Sequence, residues 1–121
     1  MKFPLSIFCL FLSIFSISKE IETSSGISIG YKSNNVIHWD DIPYAKPPIG
    51  ELRWKAPRKI NNLSQIIIPK ENNFCVQRPS GMGGSEGDGF FSGSEDCLYL
   101  DIKAPTDKLN KKLPVMFWIH G

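Results

Sequence analysis

A serine between glycines, a pair of cysteines and a His-Gly pair are the residues whose types and spacing could do chemistry. Ser85 stands two residues from both Gly83 and Gly87, which is the pattern around the nucleophile of many hydrolases. That nucleophile needs a buried strand before it and a helix after it, and neither pattern flanks this stretch. Because neither His38 nor His120 has a sequence argument as its base, we expect no catalytic triad in this chain.

The cysteines point to a disulfide. Cys9 lies in an apolar N-terminal segment, which leaves Cys75 and Cys97 as an isolated pair. In an oxidising compartment such a pair is most simply a disulfide, worth about 3 kcal/mol in the chain-entropy model. Metal binding and a free buried thiol are the alternatives, but no His or further Cys lies at ligand spacing near either thiol. We expect neither a metal site nor a cofactor.

The first 18 residues have the pattern of a secretory signal peptide. Lys2 is followed by an apolar run that ends near Ile17, and Ser16 and Ser18 fit the small-residue rule for cleavage before Lys19. The apolar run is about 15 residues long, against the roughly 20 that a membrane-spanning helix needs. The sequence therefore predicts a secreted protein without a membrane span in its mature part, and a membrane anchor is the disfavoured alternative.

A possible glycosylation site follows from the same compartment. Asn62-Leu63-Ser64 is a sequon in a polar stretch after Pro57, where a surface loop is expected. We expect Asn62 to be a modification site.

Composition excludes several classes of protein. The chain has 121 residues, of which 41% are hydrophobic and 21% charged, so it can bury a core and is not a disordered tail. Lys and Arg number 14 against 12 Asp and Glu, for a net charge of +2 without long runs of one sign. Nucleic-acid binding therefore has no electrostatic support.

The elements that must position these residues are mostly strands. Asn34-Asn35 predicts a turn between two strands, at residues 26–31 and 36–39. The two strands and this turn are predicted to form an antiparallel hairpin. Residues 42–57 contain four prolines and five large apolar residues, which predicts an ordered, packed loop. Residues 80–94 are rich in glycine and predict a flexible tip between Cys75 and Cys97. No segment has a sustained helical period, and strands are predicted at residues 26–31, 36–39, 66–68, 97–104 and 113–119, the last buried on both faces.

Four segments in order resemble the type-B carboxylesterase/cholinesterase branch of the α/β-hydrolase fold. They are IPYAKPPIGELRWKAP at residues 42–57, Cys75, SEDCLYLD at residues 94–101 and LPVMFWIHG at residues 113–121. The resemblance implies an α/β class and identifies residues 19–121 as the β-rich N-terminal part of such a domain, which is incomplete here. The expected parts are a hairpin, a packed Pro-rich loop, a disulfide-tied loop and the first core strands.

The resemblance also implies roles for single residues. Cys75 and Cys97 match the first disulfide of the family, and Arg53 and Glu95 match an ion pair that holds the Pro-rich segment at the base of the disulfide loop. His120 and Gly121 match the start of the loop that forms the oxyanion hole. The glycines that donate to the oxyanion in the family are the two that follow the one matching Gly121.

The resemblance implies a serine carboxylic-ester hydrolase that acts on small-molecule esters through an acyl-enzyme. The chain has none of the triad, so we expect it to be inactive alone, as an N-terminal fragment that ends where the oxyanion loop starts. A non-catalytic, cholinesterase-like adhesion or binding protein is the alternative. The N-terminal segment scarcely separates the two, and the intact start of the oxyanion loop favours the enzyme. The sequence does not predict an oligomeric state.

Overall fold

The computed structural model of the protein describes residues 19–70, 73–79 and 90–119. These residues form five strands and two short 3-10 helices, Gly50–Leu52 and Thr106–Lys108, and contain no α-helix. No helix in this part of the chain is long and apolar enough to cross a membrane. The strands are β1 (Lys19–Thr23), β2 (Gly26–Ser33), β3 (Val36–Pro43), β4 (Ile66–Ile67) and β5 (Tyr99–Pro105).

Strand β2 organises the sheet, whose order is β1-β2-β3-β5 with β4 beside β2. Its first half pairs antiparallel with β1, from Thr23 opposite Gly26 to Lys19 opposite Gly30, and parallel with β4. Its second half pairs antiparallel with β3, where Tyr31 lies opposite His38. Asn34 in the connecting turn has a φ of 54°, which asparagine tolerates better than most residues. The predicted hairpin and its turn are therefore confirmed.

Strands β3 and β5 pair antiparallel around a bulge. Trp39 lies opposite Ile102 and Ile42 opposite Leu100, so two residues of β3 oppose the single residue between Leu100 and Ile102. The second of these two, Asp41, has a φ of 60°. A bulge of this kind bends its strand and re-aims the side chains beside it.

The core is small and centres on β3. Ile37, Trp39 and Ile42 are buried on one face of the sheet. The Trp39 indole donates a hydrogen bond to the Lys19 carbonyl at 2.8 Å, so the core residue of β3 also holds strand β1. A glycine makes room for this indole, because a Cβ at Gly30 would lie 2.5 Å from Trp39 Nε1 and 2.7 Å from Ile37 Cγ2. Partly buried side chains complete the cluster: Ile21, Ile67, Leu100, Ala104 and Leu109.

The strand predicted at residues 113–119 is absent, and this prediction was wrong for the described structure. The segment has no strand pairing, and each side chain from Val115 to Ile119 is at least 78% exposed. A strand buried on both faces needs neighbours on each side and layers above and below. The residues that the structure describes supply none of these.

The Pro-rich segment is ordered, but it is packed less than the sequence predicts. Its first two residues, Ile42 and Pro43, extend β3, and Ile42 is buried. In contrast, Tyr44 is 52% exposed, Ile49 48% and Trp54 95%. The segment keeps its shape through backbone hydrogen bonds and turns instead of burial, so the prediction of a packed loop is corrected.

Three predictions lie outside the described residues. They are the signal peptide at 1–18, the glycine-flanked Ser85, and the His120-Gly121 pair at the start of the oxyanion loop. Most of the glycine-rich tip predicted at 80–94 also lies outside them, at residues 80–89.

Candidate functional site

The stem of a disulfide loop forms one side of the candidate site. Cys75 and Cys97 are joined by an S–S bond of 2.05 Å, with their Cα atoms 4.9 Å apart. Gln77 and Ser92 exchange backbone hydrogen bonds of 2.9 and 3.0 Å just inside the disulfide. The Ser94 N–H also donates to the Phe74 carbonyl at 2.9 Å, so the two arms of the loop are tied covalently and by backbone hydrogen bonds on either side of the disulfide's first cysteine.

The Pro-rich segment contacts this stem through an ion pair. Arg53 Nη2 lies 2.6 Å from Glu95 Oε1, and both side chains are about half exposed, at 51% and 46%. Because solvent screens such a pair, it is worth about 0.2–1 kcal/mol. Its geometric effect is that the 3-10 turn after Gly50 is held beside the second cysteine.

A second polar cluster also holds this stem. The Lys70 ammonium donates to Asp96 Oδ2 at 2.7 Å and to the Tyr99 hydroxyl at 2.8 Å, and that hydroxyl donates to Asp96 Oδ1 at 2.8 Å. These hydrogen bonds raise the pKa of the Lys70 ammonium. Burial alone would raise the pKa of Asp96, but the hydrogen bonds from Lys70 and Tyr99 outweigh it and bring the pKa below its ordinary value.

The bulge in β3 anchors this cluster to the sheet. Asp41 Oδ2 accepts a hydrogen bond from the Lys70 backbone N–H at 2.9 Å, and the Asp41 N–H donates to Asp101 Oδ1 at 3.0 Å. Asp41 is only 9% exposed, and burial raises the pKa of its carboxyl group. The strained backbone at this residue therefore serves to join β3, β5 and the segment after β4.

An open cleft of ≈ 470 Å³ lies between the Pro-rich segment and the disulfide. Trp54 and the Arg53–Glu95 pair form part of its wall, and Val76 from the first arm of the loop also lines it. Its full lining is Pro48, Arg53, Trp54, Cys75, Val76, Ser94, Glu95 and Cys97.

The described residues form a scaffold. His38, the one histidine among them, stacks on Tyr31 with ring centroids 5.2 Å apart, and Tyr31 donates to Asp40. In the part of the chain that the structure describes, no group of three or more His, Cys, Asp or Glu could hold a metal ion. Among the described residues, the arrangement fixes a loop and presents a cleft.

Comparison with known proteins shows what this scaffold is. A sequence model described as the carboxylesterase family matches residues 17–121. The chain belongs to the carboxylesterase family. Para-nitrobenzyl esterase of Bacillus subtilis (strain 168) is 38% identical over 101 residues, which cover 84% of this chain and 20% of that relative. Venom carboxylesterase-6 of Apis mellifera is 40% identical over 85 residues, covering 69% of this chain and 15% of that relative.

A solved structure agrees with the sequence comparison. A thermophilic PNB esterase superposes with a TM-score of 0.67 at 34% identity, over 85% of this chain and 21% of that structure. The described sheet is therefore the β-rich part of an α/β-hydrolase fold, as the sequence predicts. The chain spans about a fifth of the length of this carboxylesterase structure.

The structure brings some predicted site residues together and adds others. Cys75 with Cys97, and Arg53 with Glu95, are in contact at one edge of the cleft, whereas Asn62 is exposed in a separate loop. The cluster of Lys70, Asp96 and Tyr99 escaped the sequence analysis. Asp96 and Tyr99 stand three residues apart in the SEDCLYLD segment. No local sequence pattern links them to Lys70, which lies 26 positions before Asp96.

Proposed function

We propose that this chain forms the N-terminal part of a secreted serine carboxylic-ester hydrolase. The whole enzyme would cleave small-molecule carboxylic esters through an acyl-enzyme. The observation that carries the proposal is the family match over residues 17–121, together with a fold shared with a PNB esterase. Because this chain spans about a fifth of that structure, the activity belongs to a larger domain.

The proposed role of this part is to hold the disulfide loop and to lead into the oxyanion hole. Arg53 and Glu95 fix the Pro-rich segment against the disulfide stem, and His120 with Gly121 begins the oxyanion loop. Backbone N–H groups of such a loop stabilise the tetrahedral intermediate by about 3 kcal/mol per donor. The nucleophile, the acid and the catalytic histidine come from parts of the domain outside this chain, so the chain alone is inactive.

Secretion and glycosylation are part of the proposal. The first 18 residues act as a signal peptide that is removed before Lys19, and the Cys75–Cys97 disulfide fits an oxidising compartment. Asn62 is exposed, which a glycosylated asparagine requires. The relative from honeybee venom supports the same compartment by its name.

The alternative is a non-catalytic, cholinesterase-like adhesion or binding protein. No observation on the described residues favours it over the enzyme.

A hybrid esterase tests the proposal. In it, residues 19–121 of this chain replace the matching segment of the Bacillus para-nitrobenzyl esterase. We expect the hybrid to hydrolyse p-nitrophenyl acetate and to react with a fluorophosphonate probe, and the 121-residue chain alone to do neither. A hybrid that folds with the thermal stability of its Bacillus parent but has no esterase activity would contradict the proposed function.

A further inference from the structure

Trp54 combines a highly exposed side chain with a left-handed backbone conformation. Its side chain is 95% exposed, and its backbone has a φ of 57°. A bulky aromatic residue rarely adopts this left-handed conformation, and it persists only where the surrounding structure imposes it. Because Trp54 is almost fully exposed, its side chain makes no packing contact among the described residues that would offset the strain of this backbone conformation.

The surroundings do impose this conformation. The Arg53 N–H donates to the Gly50 carbonyl at 3.2 Å, which closes the 3-10 turn before the tryptophan. The Lys46 N–H donates to the Arg58 carbonyl at 2.8 Å, so the two ends of the loop meet. Arg53 itself is held by Glu95 at 2.6 Å. The indole is therefore presented outward from a loop that is fixed at its base, its turn and its flank.

The cleft beside the indole is suited to an apolar occupant. Pro48, Val76 and the disulfide line it together with Trp54, and Val76 is 50% exposed. The cation and the anion in its wall, Arg53 and Glu95, are paired with each other. A charged ligand would have to compete with that pair, whereas an apolar side chain would bury the indole without disturbing it.

We propose that Trp54 and this cleft are the docking site for an apolar segment of the rest of the carboxylesterase domain. This inference rests on the proposed function. The chain covers 20% of the Bacillus relative, so four-fifths of such a domain remain to be placed against it. Tryptophan and arginine on a fixed loop beside a pocket are the residues that most often dominate an interface. The strained backbone at Trp54 then has a purpose, because it aims the indole at the segment that covers it.

The Trp54→Gly variant of the hybrid esterase tests this placement through the sign of its effect. Glycine relieves the strain at a positive φ. If the indole stays in water, the thermal midpoint of the Trp54→Gly hybrid should therefore equal or exceed that of the unmodified hybrid. A docked indole predicts a midpoint lower by about 5 °C, because a large buried side chain is lost. Leu63→Ala is the control, since Leu63 is 71% exposed and does not line the cleft. We expect this control to leave the midpoint unchanged.

Acrylamide quenching gives a second readout that does not depend on stability. The difference between the hybrid and its Trp54→Phe variant isolates the fluorescence of this indole. We expect it to be quenched far less than free indole. Free quenching in a folded hybrid would overturn the proposal, as would protection that appears only in a dimer, because a second copy would then be the occupant. A hybrid that is insoluble where its Bacillus parent is soluble would also count against the docking site.

The two proposals fail in different ways. A hybrid that buries Trp54 but does not hydrolyse esters would contradict the proposed function and leave the docking site standing. A hybrid that hydrolyses esters while Trp54 stays open to acrylamide would contradict the docking site alone.

Discussion

At the scale of single residues, Asp41 combines three costs that its contacts must offset. It has a positive φ, it is buried, and it carries a carboxyl group whose pKa is raised by that burial. Its Oδ2 satisfies the Lys70 N–H, and its own N–H is satisfied by Asp101. The hydrogen bonds therefore matter more at this position than the charge does.

This balance predicts that Asp41→Asn and Asp41→Ala have different effects on the hybrid esterase. Asparagine tolerates a positive φ and keeps an acceptor oxygen, so its free energy of unfolding should be unchanged or higher at pH 7. Alanine leaves the Lys70 N–H without its partner and should cost about 1–3 kcal/mol. Thermal unfolding of both variants checks this. Equal losses from both would mean that the charge of Asp41 is needed.

The raised pKa of Asp41 also has a consequence for pH dependence. A group that binds its proton more tightly in the folded state lowers stability as pH rises from its unfolded pKa, near 4, toward its folded pKa. The difference in thermal midpoint between Asp41→Asn and the unmodified hybrid should therefore grow in favour of asparagine as pH rises from 4 to 7. A constant difference would contradict the buried, destabilised carboxylate.

Asp96 predicts the opposite pH dependence. Its pKa is lowered in the folded state, so its contribution is present above pH 4 and is lost as pH falls through the folded pKa. Asp96→Asn should cost about 1 kcal/mol at pH 7, and the cost should shrink below pH 4. Glu51→Gln is the matched control, because Glu51 is fully exposed and lies 3.9 Å from the half-exposed Lys55. A cost for Asp96→Asn that stays the same at pH 3 would contradict the assignment.

At the scale of elements, the sheet depends on the fit between β2 and β3. Gly30 leaves the space that Trp39 fills, and Trp39 in turn holds the Lys19 carbonyl of β1. Gly30→Ala should therefore lower the free energy of unfolding by about 1–3 kcal/mol through overpacking. Ser33→Ala, at the exposed end of the same strand, should have little effect. Unchanged thermal unfolding of the Gly30→Ala hybrid would show that the space beside Trp39 is not filled as described.

The sequence predicts the elements that carry their own signals. Strands β2 and β3 and the Asn34 turn follow from alternation and turn residues, and β5 follows from the alternating CLYLDIKA stretch with its start moved from residue 97 to Tyr99. Strand β1 is not predicted, because its sequence KEIET is mostly charged or polar and has no alternating apolar pattern. It is a strand because it pairs with β2. Tertiary pairing is not visible in a local pattern.

The candidate site is also predictable only in part, because several of its contacts join segments that are distant in the sequence. The cysteine pair follows from cysteine count and compartment, and the Arg53–Glu95 contact follows from family resemblance. The Lys70 cluster and the exposure of Trp54 depend on how distant segments meet. Residues 113–119 have the composition of a buried strand, but burial needs partners that the described chain does not supply.

At the scale of the whole molecule, the chain exposes a continuous apolar segment. Five successive side chains, Val115 to Ile119, are each at least 78% exposed. An unpaired, extended and apolar segment is a template for association with other chains. The mature segment, residues 19–121, should therefore self-associate at micromolar concentration.

Lysine substitutions test this directly. Met116→Lys and Trp118→Lys should shift the chain toward monomer in sedimentation velocity, without loss of sheet signal in circular dichroism, because both side chains are exposed. Leu63→Lys adds the same charge outside the segment and is the control. If Leu63→Lys produces the same shift, net charge and not the apolar segment controls association.

The central claim is that this chain is the N-terminal part of a secreted carboxylic-ester hydrolase. The most direct measurement captures the natural protein from secretions of its source with an antibody raised against residues 19–121. The captured protein is then assayed on p-nitrophenyl acetate, with and without a fluorophosphonate inhibitor. We predict a product several times longer than this chain, which begins at Lys19, hydrolyses the ester and loses that activity to the inhibitor. A captured protein of that length that neither hydrolyses the ester nor reacts with the inhibitor would contradict the claim.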